Sequence, residues 1–265
     1  MFPDNKIINF DSKKIKLAES IKNLFKVNKI ENIFEYYDNK KIYEILYSNV
    51  SNKSFQNIYK NLQEIISKQI NKNEFYYQKI PSFRIQRPGD KSVNFHNDIW
   101  YGHGNDVINF WVPLTGLNKS NTVWVTNSSE SNLLNNKFKA EKLSIDKINI
   151  LAKEISRPFL GTYGQILVFN TSTFHGTVKN VSNQCRLSFD FRILLRGKSS
   201  GTKPKNEFYN MFSNKKINPK NKKISLKKSI FYMFKKNVFL NNLSHSVQRE
   251  IIKSYATSKK FLCSV

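Results

Sequence analysis

The chain has 265 residues and carries 44 lysines and arginines against 19 acidic residues, a net charge of +25, which allows one sizeable domain with appendages. Two cysteines, Cys185 and Cys263, exclude a disulfide framework and a thiolate zinc cluster, so no disulfide partner and a reducing cytoplasm are expected. The start, Met1-Phe2-Pro3-Asp4-Asn5-Lys6, lacks the basic-then-apolar pattern of a secretion signal, and no apolar run approaches a membrane span.

In chain order, residues 1–75 read as a helical segment packing on a barrel: Phe55, Ile58, Tyr59, Leu62, Ile65, Ile66 and Ile70 recur at helical spacing among polar residues. From 76 to 197 the pattern changes to short alternating or apolar segments at Phe83-Ile85-Arg87, Val107 to Leu114, Thr122 to Thr126, Ile166 to Phe169 and Cys185 to Leu195. That spacing predicts a mainly β fold with flanking helices, an antiparallel jelly roll, as the one catalytic domain. The polar stretch 131–156 reads as an irregular insertion over the barrel mouth, where substrate-selecting loops sit. Gly197-Lys198-Ser199-Ser200-Gly201 reads as a linker into a basic extension, 198–265, with helical pieces such as Ser229 to Leu240.

A surplus of positive charge ordinarily signals nucleic acid or an anionic surface. Here lysine supplies 37 of the 44 basic residues and asparagine and isoleucine are abundant, a bias expected of a genome rich in A and T. The surplus is concentrated at the end: 201–265 carries 15 basic and 2 acidic residues, against 14 and 8 over 81–196. Ile230, Phe231, Phe234, Val238 and Phe239 between lysines admit peripheral contact with an anionic membrane or packing on the barrel with lysines outward, the reading we favour. No nucleic-acid recognition motif accompanies the charge.

The chemistry lies in an ordered set: His96-Asn97-Asp98, His175, Arg186 and Ser188. Two imidazoles and one carboxylate form the facial triad that holds non-haem Fe(II) with positions left open. His96 and Asp98, two apart after an extended run, project from one face. A keto acid such as 2-oxoglutarate leaves a far carboxylate needing a bidentate, permanently charged partner, and Arg186, eleven residues after His175, suits the next strand. Singly, each residue has a plain explanation: a chance His-x-Asp, a core histidine, a strand whose polar face (Arg186, Ser188, Asp190) is solvated. The order of all three is what points to a site. Asp98 also favours hydroxylation over halogenation, because an open position in its place would admit a halide. His103, beside Gly102 and Gly104, either reaches a substrate or is a loop histidine.

Over residues 81–196 the chain resembles the Fe(II)/2-oxoglutarate-dependent oxygenases of the phytanoyl-CoA dioxygenase-like superfamily, particularly bacterial members from carbohydrate or surface-polysaccharide gene clusters. Ile85-Gln86-Arg87-Pro88-Gly89-Asp90 leads into Phe95-His96-Asn97-Asp98; Ile108 to Thr115 is similar to the family's tryptophan-containing strand; Asn121-Thr122-Val123-Trp124 is similar to its asparagine-bearing turn; His175-Gly176-Thr177 with Asn180, and Arg186-Leu187-Ser188, resemble its distal histidine and co-substrate motifs. The resemblance implies a jelly-roll hydroxylase that uses Fe(II), 2-oxoglutarate and O2, with His96, Asp98 and His175 on the metal, Arg186 and Ser188 on the co-substrate, and His103, Asn109 and Trp111 near a small substrate such as a sugar derivative. One departure stands out: Val125-Thr126-Asn127 replaces the usual proline and glycine, and Glu130 stands where histidine is common. Two other readings stay open, a jelly roll that binds metal or ligand without turnover, and a polyanion binder led by the basic tail.

Overall fold

A computed structural model describes residues 5–214. Its frame is a seven-stranded antiparallel sheet in the order β1 (Lys6–Asn9), β7 (Gln165–Asn170), β4 (Val107–Pro113), β9 (Arg186–Leu195), β2 (Glu74–Gln78), β10 (Tyr209–Ser213), with β3 (Ser82–Gln86) pairing with the first half of β9. A smaller sheet, β6 (Arg157–Pro158), β5 (Trp124–Val125) and β8 (His175–Gly176), faces it. The predicted jelly-roll core with flanking helices is what the chain forms.

Alternation gives the large sheet two unlike faces. Leu187, Phe189, Phe191 and Ile193 of β9, Phe110 and Val112 of β4 and Ile166 and Val168 of β7 are buried on one face, in one cluster with residues of α1 (Leu17–Phe25), α3 (Asn39–Asn49) and α4 (Lys53–Gln69). Phe191 stacks on Phe110 at 5.3 Å and meets the Tyr59 ring edge-on at 5.5 Å, and each such side chain contributes about 1.5–3 kcal/mol by leaving water. The edge of β3 is closed by α3, whose Tyr47 and Tyr43 hydroxyls accept the Phe83 and Ile85 N–H groups at 3.1 and 3.2 Å, so no bare strand edge is left there. The opposite face of the sheet looks into the barrel.

Three expectations are corrected. The segment 1–75 is not helical throughout: Lys6–Asn9 pair with Gln165–Val168, because Ile8 fills the core beside β7. The stretch 131–156 is not irregular but lies in two helices, α5 (Ser128–Glu141) and α6 (Ile145–Ile155). Asn127 and Glu130 close a capping box on α5, and the Ser144 hydroxyl caps α6; Leu134, Ile148 and Ala152 then pack on Phe95 and Phe174. Nor are residues 197–201 a free linker. Gly201 pairs with His103, and the Thr202 N–H donates to the Gly102 carbonyl at 2.8 Å, after which α7 (Lys205–Phe208) leads into β10, so the sheet continues past residue 198. Ser229 to Leu240 lie outside the described residues. No helix among the described residues is long and apolar enough to cross a membrane.

Candidate metal centre and its cavity

His96 and His175 face one another because their backbones meet there in an isolated antiparallel bridge: each N–H donates to the other's carbonyl, at 3.0 and 2.9 Å. Gly176 permits the approach. A Cβ on it would lie 2.8 Å from the Phe95 backbone, so a larger residue would push β8 away from His96. Asp98 opens a 3-10 turn, Asp98–Tyr101, that Asn97 caps by accepting the Trp100 N–H at 3.2 Å. The Asp98 N–H is fixed on the Thr171 carbonyl at 2.8 Å.

The ligating atoms of His96, Asp98 and His175 all lie within 4.8 Å of one another, and all three residues are buried. Asp98 Oδ1 is 3.4 Å from His96 Nε2 and 3.7 Å from His175 Nε2. The rings are turned by their other nitrogens, His96 Nδ1 on the Asn94 carbonyl at 2.7 Å and His175 Nδ1 on the Thr173 carbonyl at 3.0 Å. With Nδ1 as the donor, Nε2 presents a lone pair to the centre, the outer support found around metal-bound histidines. Burial, with His96 and Arg192 nearby, pushes His175 down to about 4, so it is neutral and able to ligate at pH 7. Burial alone would raise the Asp98 carboxyl, but Arg192, His96 and His175 hold it well below the usual carboxylate range.

Across the barrel, the other face of β9 presents Arg186, Ser188, Asp190 and Arg192. None of this face is solvated; all four side chains are buried. Arg186 thus follows His175 by one strand in sequence, yet β9 lies in the large sheet and β8 in the small one, so the two residues meet across the interior instead of along a ladder. The cavity between them is lined by His96, His175, Asn109, Trp111, Arg84 and Arg186 among others.

Several buried polar groups have no hydrogen-bond partner among the described residues. Arg186 is 1% exposed with no carboxylate paired to it among the described residues; its guanidinium lies 5.7 Å from the Trp111 ring centre, and its Nε and the Ser188 hydroxyl are both unsatisfied. Burial pulls Arg186 down to about 10, still charged at neutral pH. A buried, unpaired cation is costly unless an anion joins it. Both amide atoms of Asn109 are likewise buried and unsatisfied. The donor set and these orphaned groups fit Fe(II) at the triad and an anionic co-substrate reaching Arg186.

Of the remaining candidates, Trp111 lines the cavity with Asn109, whereas His103 is outside that lining; it is buried edge-on against Phe208 at 5.5 Å. Glu130, in place of a histidine, closes the Asn127 capping box, and Asp106 lies 3.5 Å from Lys198, which leaves Asp98 as the carboxylate at the triad. Sequence reasoning missed an ion network. Arg192 Nε and Nη2 donate to Asp98 Oδ2 at 3.0 and 2.6 Å, Arg192 also pairs with Asp190 Oδ1, and Arg84 Nε donates to Asp190 Oδ2 at 2.8 Å. Its signal was present in the alternation Arg186, Ser188, Asp190, Arg192, matched on β3 by Ser82, Arg84 and Gln86.

The family model for phytanoyl-CoA dioxygenase (PhyH) matches residues 22–188, more than half of the chain, starting well before the motifs at 81 and including all five triad and co-substrate candidates. The chain is 29% identical over 123 residues to the streptomycin biosynthesis protein StrG of Streptomyces griseus, a match spanning 46% of this chain and 47% of that protein, so it covers about half the length of this curated relative. Among solved structures it is similar in fold to the non-haem monooxygenase ThoJ. The apo form gives a TM-score of 0.53 at 10% identity, covering 95% of this chain and 96% of that one, and the nickel complex 0.51 at 9%, covering 96% and 94%. The chain belongs to the phytanoyl-CoA dioxygenase (PhyH) family and, with it, to the 2-oxoglutarate-dependent non-haem iron oxygenases, whose cofactors are Fe(II) and 2-oxoglutarate.

Proposed function

We propose that this protein hydroxylates a small polar molecule, a sugar derivative or polysaccharide precursor, with His96, Asp98 and His175 holding Fe(II), and Arg186 and Ser188 holding the far carboxylate of 2-oxoglutarate. The observation that carries the reading is Arg186: a guanidinium 1% exposed, with no anionic partner among the described residues, in the same cavity as the triad. The fork of Arg186 suits a bidentate carboxylate, and the Ser188 hydroxyl, unsatisfied beside it on the same face of β9, donates the next hydrogen bond. Bound there with O2, the iron and 2-oxoglutarate supply the oxidant for C–H hydroxylation, with succinate and carbon dioxide as co-products.

The chain's own groups bind, orient and exclude water. His96 and His175 offer Nε2 because their Nδ1 atoms are engaged, and Asp98 supplies the anionic ligand that a halogenating site would lack. Trp111, Phe169 and Val123 form the apolar wall. Asn109, whose donor and acceptor have no partner among the described residues, matches a hydroxyl-bearing substrate, and the resemblance to the streptomycin biosynthesis protein supports a sugar-derived one. The test is succinate release by the full chain with Fe(II), 2-oxoglutarate and O2, with sugars, sugar phosphates and sugar nucleotides screened for a gain of one oxygen by mass spectrometry. Iron-dependent succinate formation that survives in His96→Ala, Asp98→Ala and His175→Ala alike would overturn the assignment.

A further inference from the structure

The carboxylate of Asp98 has two oxygens, and the fold treats them differently. Oδ1 faces the histidine nitrogens, while Oδ2 receives both Nε and Nη2 of Arg192. Arg192 is itself held: Nη1 donates to Asp190 Oδ1, and Asp190 Oδ2 accepts from Arg84 Nε. Asp98, Asp190 and Arg192 are 2, 6 and 5% exposed, so these bonds are largely shielded from water. A charge-assisted fork between buried groups is among the stronger contacts a protein can build.

We propose that Arg192 is a positioning residue that keeps Asp98 a one-oxygen ligand, and that the Arg84–Asp190–Arg192 chain thereby preserves a coordination position for the co-substrate. The proposal rests on the reading that Asp98 ligates iron. With Oδ2 fastened to Arg192, the carboxylate cannot turn both oxygens toward the centre. Freed, it becomes able to chelate the ion and to occupy a position that the keto acid needs. Arg192 therefore acts on 2-oxoglutarate binding through Asp98, while Arg186 acts on it directly. A role in stability alone would leave the two oxygens of Asp98 equivalent in effect, and co-substrate affinity would be untouched in any variant that folds.

The experiment uses the full chain loaded with Co(II), whose visible absorption reports coordination number, and 2-oxoglutarate titrated without iron or turnover. Arg192→Gln should keep Co(II) bound, shift its absorption, and weaken 2-oxoglutarate by about tenfold or more, within the range typical of losing an outer support of a metal ligand. Arg192→Lys, which keeps the charge but not the fork, should fall between wild type and Gln, and serves alone if Arg192→Gln does not fold. Wild-type Co(II) absorption together with wild-type 2-oxoglutarate affinity in the folded variants would overturn the proposal. Asp98→Ala, run alongside, separates the two levels: undiminished Co(II) affinity there would overturn the ligand assignment itself.

Discussion

Replacing Arg186 by methionine should abolish tight 2-oxoglutarate binding without harming the apo fold. Arg186 is 1% exposed, has an unsatisfied Nε and pairs with no carboxylate among the described residues. Methionine is of similar length and removes a desolvated cation, so the metal-free variant should melt at or above the wild-type temperature. The bound state should respond in the opposite sense. Stranding the far carboxylate beside Trp111 without its charged partner costs about 2–5 kcal/mol, and at about 1.4 kcal/mol per tenfold this is a roughly 30- to 4000-fold rise in the 2-oxoglutarate dissociation constant. Titration calorimetry on the Zn(II)-loaded protein, where turnover is blocked, reads this directly. Thermal unfolding gives a second reading: at a hundred times its dissociation constant the co-substrate stabilises wild type by about 2.7 kcal/mol, and a 30-fold weaker variant would keep under about 1 kcal/mol at the same concentration. Unchanged 2-oxoglutarate affinity together with a markedly destabilised apo protein would refute the reasoning, since Arg186 would then be a structural residue.

Stability of the metal-free protein should fall as pH drops from 6.5 toward 4, because burial, with His96 and Arg192, holds His175 at about 4 in the fold against 6.5 free. The unfolded chain binds the proton that the fold refuses, so one group accounts for up to ~3 kcal/mol; urea midpoints at the two ends should differ less in His175→Gln than in wild type, and equal differences would remove His175 as the cause. Gly176→Ala places a Cβ 2.8 Å from the Phe95 backbone and should cost about 1–3 kcal/mol while weakening metal binding, because His175 moves with β8; calorimetric melting and Co(II) titration of one sample check both. Asn109→Leu removes two buried amide atoms that lack partners among the described residues, so the apo protein should be as stable as wild type or more so, by up to about 1–3 kcal/mol. Turnover of the true substrate should drop while 2-oxoglutarate affinity holds, and unaltered turnover would take Asn109 out of the substrate site.

That His96, Asp98 and His175 come together was legible because iron chemistry demands particular residue types in a particular order. Period-two alternation in Cys185 to Leu195 marked β9, and Phe55 to Ile70 marked α4. The helices α5 and α6 were harder to read: α5 is rich in asparagine and lysine with few apolar positions, while Ile145, Ile148, Ala152 and Ile155 of α6 do recur at helical spacing, a signal passed over in a segment read as polar; what holds both is the packing of Leu134, Ile148 and Ala152 on Phe95 and Phe174. The strand Lys6–Asn9 is four residues long and has no signal of its own until β7 offers an edge.

The sequence by itself singled out the groups proposed for the chemistry: His96, Asp98 and His175, which the fold gathers into one donor set, Arg186 as the proposed fork for a carboxylate, and β9 as a strand with one polar face. Only the tertiary structure decided that this face is buried inside the barrel, that Arg186 looks at the triad across two sheets, that His103 is packed against Phe208 outside the cavity lining, and that Arg192 claims the second oxygen of Asp98. Composition and period report what a side chain is and which way its strand turns it. Whether a charge meets water, a partner or an empty cavity depends on residues about a hundred positions away, brought into contact by the pairing of β3 and β4 with β9.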